Sequence, residues 1–118
     1  MKYIAYCRKS TDEKDKQTMS IDQQIDELQS FAKRENLEIS EFLTEAETAK
    51  APGRPVFNHL IALIEKGLIN GIISWHPDRL ARNSIDGGKI IYLIDTGKLV
   101  SLKFPSFWFE NTPQGKFM

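Results

Sequence analysis

Residues 2–7 read Lys-Tyr-Ile-Ala-Tyr-Cys, and residues 71–75 read Gly-Ile-Ile-Ser-Trp. In the first stretch Tyr3, Ala5 and Cys7 fall on one face of an extended chain, with Ile4 and Tyr6 on the other. Both faces are mostly apolar, the pattern of a strand covered on each side. The second stretch is apolar throughout and belongs at the centre of a sheet. Parallel strands of this kind are joined by crossovers, usually helical, and helical patterns fill the intervals.

Outward from residues 2–7, the segment 8–19 (RKSTDEKDKQTM) is polar and charged and reads as a loop. Ser20 opens a helix. Ser-x-x-Gln at 20–23 matches a capping box, in which two backbone donors are satisfied reciprocally. Ile21, Ile25, Leu28 and Ala32 follow at helical spacing, with Phe31 beside them. Residues 37–43 (LEISEFL) alternate well enough for a less buried strand, and a loop of small and polar residues follows. Pro55 suits a helix start, since its missing N–H costs nothing there. Phe57, Leu60, Ile61 and Ile64 supply the apolar stripe, and Gly67 ends it. Beyond the loop 76–84 comes a helix from Ile85 to Thr96, closed by Gly97, and then a strand over 98–104. The predicted fold is α/β and three-layered: a mainly parallel sheet of four to five strands with helices on both faces. No internal repeat or low-complexity tract interrupts it.

A length of 118 residues and a hydrophobic fraction of 41% suit one soluble globular domain. No apolar run approaches the roughly 20 residues of a membrane helix, and the opening residues are too soon interrupted by Arg8 and Lys9 for a signal peptide. A single cysteine, Cys7, excludes an internal disulfide and fits a reducing cytoplasm. Cys7, His59 and His76 have no metal-ligand spacing. Lys plus Arg is 16 and Asp plus Glu is 16, so the net charge is zero. Composition therefore argues mildly against a self-sufficient nucleic-acid binder, and any such reading rests on local clusters.

Arginine provides one. The chain has eleven lysines and five arginines, and four of the five fall in loops after strands or just before helices: Arg8, Arg54, Arg79 and Arg82. In a parallel sheet such loops gather at the carboxyl edge, where ligands bind. A guanidinium is planar, permanently charged and able to grip phosphate oxygens bidentately. An isolated arginine is more often a solvated surface group, but four predicted along one edge are less easily explained so. Ser10 lies on the same edge. No Gly-x-Ser-x-Gly elbow or marked histidine base accompanies it, so acyl transfer is poorly supported. Phosphoryl transfer, which depends on positioning and charge, fits better. Taken alone, Ser10 would be an ordinary turn hydroxyl.

Five ordered blocks change that weighting. Tyr6-Cys7-Arg8-Lys9-Ser10-Thr11, Ser20-Ile21-Asp22-Gln23-Gln24, Gly53-Arg54-Pro55, Asp78-Arg79-Leu80-Ala81-Arg82-Asn83 and Asn111-Thr112-Pro113-Gln114-Gly115-Lys116-Phe117-Met118 resemble, in sequence, the signatures of the serine recombinase (resolvase/invertase) family. The resemblance spans nearly the whole chain and is closer to the large serine recombinases of phages and mobile elements than to the small resolvases. It implies a resolvase-like catalytic domain over 1–112 and, over 113–118, the start of a long dimerisation helix that is cut short, with the DNA-binding region beyond it. It implies that Ser10 attacks a DNA phosphate, forming a 5′-phosphoserine link and freeing a 3′-hydroxyl, with no metal or nucleotide cofactor. Arg8, Arg79 and Arg82 match the family's phosphate-binding arginines, Arg54 a further active-site arginine, and Gln24 the active-site glutamine. Asp78 matches an acidic residue that either serves as general base or orients Arg79 or Arg82. The implied partners are double-stranded DNA, engaged specifically through the missing C-terminal region, and further copies of the chain in a dimer or tetramer; no membrane is involved.

The sequence departs from the family at several points. Lys9 stands where many members carry valine, which makes the loop more basic and adds a contact for DNA. Glu45 and Thr48-Ala49 replace the usual aspartate and Ser-Gly, which weakens any active-site role for them. His76-Pro77 is unusual; Pro77 stiffens the approach to the arginine block, and His76 reads as a surface histidine. Trp75 reads as packing at the strand end. The aromatic run Phe104, Phe107, Trp108 and Phe109 suits burial against a partner or the missing helix better than base stacking. Two rivals remain: a catalytically idle recombinase-like domain for oligomerisation or regulation, and a metal-independent phosphohydrolase, for which no glycine-rich phosphate loop appears.

Overall fold

In a computed structural model, which describes residues 1–9, 19–47 and 50–106, residues 3–8 form the first strand, β1 (Tyr3–Arg8), buried along its whole length. It is followed by α1 (Ile21–Arg34), β2 (Ile39–Glu45), α2 (Pro55–Glu65), β3 (Gly71–Ser74), α3 (Pro77–Leu80), α4 (Ser84–Asp95) and β4 (Ser101–Lys103). The strands pair in parallel in the order β2-β1-β3-β4, so the two apolar stretches lie side by side at the centre. β2, expected to be less buried, is an edge strand.

The alternation along β1 assigns its two faces. Tyr3, Ala5 and Cys7 pack with Leu28 of α1 and Ile73 of β3. Ile4 and Tyr6 pack with Phe57, Leu60 and Ile64 of α2 and with Ile90 and Leu93 of α4. One helix thus covers one face, and two cover the other. The Ser20 capping box is present in both directions: the Gln23 amide donates to the Ser20 hydroxyl and the Gln23 side chain accepts from the Ser20 amide. Gly67 and Gly97 follow α2 and α4 with φ of 77° each, the left-handed conformation that glycine adopts without a Cβ clash.

Three boundaries differ from expectation. β2 begins at Ile39 rather than Leu37, because the Leu37 amide is donated back to Ala32 O at 2.8 Å and Asn36 has φ of 56°, so both still belong to the stop of α1. β4 is confined to residues 101–103, since Leu99 N–H returns to Leu93 O at 3.0 Å at the end of α4. The segment expected as a loop over 76–84 contains α3, with His76 as its cap and Pro77 at its first position. Among the described residues, no helix is long and apolar enough to cross a membrane. Expectations for Ser10, Thr48-Ala49, Phe107-Trp108-Phe109 and the helix start at 111–118 fall outside the described residues.

Candidate active site

β1, β2 and β3 run parallel, so their carboxyl ends share one edge of the sheet. β1 ends there with Arg8, the segment leading to α2 departs from there after Glu45, and α3 follows β3. This is the edge on which the arginines were expected to gather.

Arg8 is 1% exposed. Its guanidinium donates from Nε to Arg79 O at 2.9 Å, from Nη2 to Asp78 O at 2.9 Å and from Nη1 to Glu47 O at 3.0 Å. A helix of four residues leaves its last carbonyls without intrahelical donors, and two of those carbonyls are the ones Arg8 takes. Arg8 therefore ties β1 to α3 and to the segment after β2.

Gln24, expected at the active site, is fully buried on α1. Its carboxamide accepts from Arg8 N at 3.1 Å and donates to Arg8 O at 2.9 Å, as a neighbouring strand would, and also donates to Met19 O at 3.2 Å. It thus grips both margins of the segment that contains Ser10. Lys9 is exposed, with its amide on Glu45 O at 2.9 Å.

Asp78 and Arg79 lie in α3. The Asp78 side chain is 67% exposed, and its Oδ2 is 3.9 Å from His76 Nδ1. The same His76 nitrogen accepts from Asp78 N at 3.1 Å, so His76 caps α3. Arg79 is half-buried and Arg82 is exposed just before α4. The structure thus joins Arg8, Gln24, Asp78 and Arg79 through side-chain and backbone contacts and leaves Arg82 at the surface nearby.

Arg54 behaves differently. It is 2% exposed and immediately precedes α2. Nη1 donates to the Tyr6 hydroxyl at 3.0 Å, Nη2 pairs with Asp86 Oδ2 at 3.0 Å, and the guanidinium lies 4.2 Å from the centre of the Phe57 ring. Tyr6 in turn donates to Glu45 Oε1 at 2.5 Å, and the Glu45 carboxylate accepts the Val56 and Phe57 amides at 2.8 and 3.0 Å. α2 has no side-chain cap of its own, so Glu45 caps it from β2. Burial first, and then the hydrogen bond to Glu45, hold the Tyr6 hydroxyl well above its ordinary range, against the pull of Arg54.

Tyr6 and Asn83 stood within the quoted blocks without a role of their own, a role for Glu45 was weakened, and Asp86 was not singled out at all. Asn83-x-x-Asp86 has the spacing of a cap and its third helical residue, a signal that could have found Asp86. Among the described residues, no group of three or more His, Cys, Asp or Glu stands where it could hold a metal ion.

Residues 3–118 match the family model described as Resolvase, N terminal domain. The fold is similar to the N-terminal catalytic domain of TP901-1 integrase, with a TM-score of 0.78 and 24% identity, covering 98% of this chain and 85% of that one. It is similar also to the C-terminal catalytic domain of ISC1926 TnpA, an IS607-like serine recombinase, with a TM-score of 0.72 and 19% identity, covering 98% and 74%. A third similar structure is the first ORF in transposon ISC1904 from Sulfolobus solfataricus P2, with a TM-score of 0.66 and 22% identity, covering 97% and 73%. No curated protein matches the chain.

Proposed function

Because the chain belongs to the resolvase N-terminal domain family, we propose that it is the catalytic domain of a serine site-specific DNA recombinase in which Ser10 attacks the scissile phosphate. The observation that carries this reading is the joining of Arg8, Asp78 and Arg79 at the carboxyl edge of the sheet, next to the segment that holds Ser10.

In the proposed step the Ser10 oxygen bonds to phosphorus and the bond to the 3′-oxygen breaks. A 5′-phosphoserine forms, and the 3′-oxygen leaves as a hydroxyl after taking a proton. One phosphodiester replaces another, so the reverse attack by a new 3′-hydroxyl rejoins the strand without external energy. Arg79 and Arg82 supply fixed positive charge to a phosphoryl group whose negative charge spreads in the transition state. Arg8 stands beside them, and its buried donors on the α3 carbonyls hold that block in place. Asp78 either accepts the Ser10 proton or orients a neighbouring arginine; its exposure leaves both roles open to it. Gln24 fixes the backbone on either side of the serine segment, and Lys9 adds charge towards DNA. No cofactor enters the scheme.

Residues 1–112 form the catalytic unit in this reading, copies of the protein associate as dimers or tetramers on duplex DNA, and the protein acts in the cytoplasm. Ser10→Ala in the intact protein is expected to abolish strand cleavage and covalent adduct formation while site binding persists in a mobility-shift assay. A covalent protein–DNA adduct trapped with that variant would overturn the assignment.

A further inference from the structure

We propose that Asp86, which lies within α4 rather than in the arginine block, is a positioning residue for that block; the role rests on the DNA-cleavage reading above. Its carboxylate is fully buried. One oxygen, Oδ2, accepts both from Arg54 Nη2 at 3.0 Å and from Asn83 Nδ2 at 2.8 Å. Asn83 also caps α4 by accepting the Asp86 amide at 2.8 Å, and it is the residue directly after Arg82. Arg54 reaches on to Tyr6, two residues before Arg8 in β1. A continuous set of contacts thus runs from the central strand through α2 and α4 to the backbone that carries Arg82.

Two orphaned atoms distinguish this from simple pinning of one helix to another. Arg54 Nε and Asp86 Oδ1 are buried without a hydrogen-bond partner. A carboxylate and a guanidinium left to themselves adopt a fork with two parallel bonds, which would use both atoms. Here one oxygen is shared between Arg54 and Asn83, and the second bond to Arg54 is forgone. Buried groups left unpaired in this way require a reason. The geometry serves the simultaneous hold on Asn83 and Arg54, which fixes the Arg82 segment relative to β1.

Asp86→Ala would leave Arg54 buried without its counter-charge, so loss of folding could mask the effect. Asn83→Ser avoids that: serine remains a good helix cap but cannot donate to Oδ2 as the carboxamide does. In the intact protein, Asn83→Ser is expected to lower strand cleavage about 10-fold or more with DNA affinity unchanged, since small misplacements of charge are costly to rate. The loss should not add to that of Arg82→Ala, and amide exchange at Arg79–Arg82 should quicken by more than any lowering of global stability accounts for. Cleavage equal to the parent protein, or full additivity with Arg82→Ala, would overturn the proposal. If the parent protein cleaves no duplex, the reaction assigned above fails on its own account, and the exchange measurement still decides the coupling: quickened amides support it, and unchanged amides overturn it.

Discussion

Tyr6 places one hydroxyl between a carboxylate and a guanidinium, donating to Glu45 and accepting from Arg54. Tyr6→Phe keeps the ring contact with Phe57 and removes both bonds. It is expected to cost about 1–3 kcal/mol, because each partner remains buried with one contact fewer, and urea unfolding would measure it. Its neighbour Cys7 offers a pH test. Burial pushes the thiol up from its ordinary value of 9.0 to about 12. Between those values the unfolded chain has released the proton and the native chain retains it, so stability falls as pH rises. Thermal midpoints should therefore decline above about pH 9, and decline less steeply in Cys7→Ala; equal slopes would show that the thiol contributes nothing. The sequence located Arg8, Arg54, Arg79 and Arg82 near one edge, because chain position relative to strand ends is legible from pattern. It did not reveal where each guanidinium turns. Arg8 is turned inwards by the α3 carbonyls and Arg54 by Asp86, partners that come from other elements and leave no local signal.

At the level of elements, β1 and β3 are held in register by a close approach. Tyr3 pairs with Gly71, and a Cβ placed on Gly71 would lie 2.5 Å from the Tyr3 ring. The ring cannot swing away cheaply, since it is buried and its hydroxyl donates to Ser101 Oγ at 2.8 Å on β4. Gly71→Ala is expected to destabilise the sheet by about 1–3 kcal/mol, the usual cost of overpacking, with a lowered denaturation midpoint as readout. Most of the elements were legible in the residues: the Ser20 box, the Pro55 start and the two left-handed glycines mark α1, α2 and α4. α3 was not, because four residues are too few to show a helical period. β2 was misplaced by two residues because Leu37, an apolar residue in an alternating run, is claimed by the end of α1.

Across the whole molecule, the balance of 16 positive and 16 negative side chains remains a real constraint on binding. Phosphate contacts supply most non-specific affinity for DNA, and among the edge arginines Arg8 and Arg54 are spent on internal contacts. Residues 1–118 alone are expected to bind duplex DNA no more tightly than about micromolar at physiological salt, with a shallow salt dependence; tight, sequence-specific binding would contradict this. The capping of α3 by Arg8 has a separate consequence, for folding. A four-residue helix has no stability of its own, and its Asp78 and Arg79 carbonyls receive the Arg8 donors once the last residue of β1 is seated. The arginine block is therefore cooperative with the sheet and cannot survive as a local remnant. In a denaturant series, loss of catalytic competence should superimpose on loss of the β-sheet signal, with no intermediate that keeps one without the other.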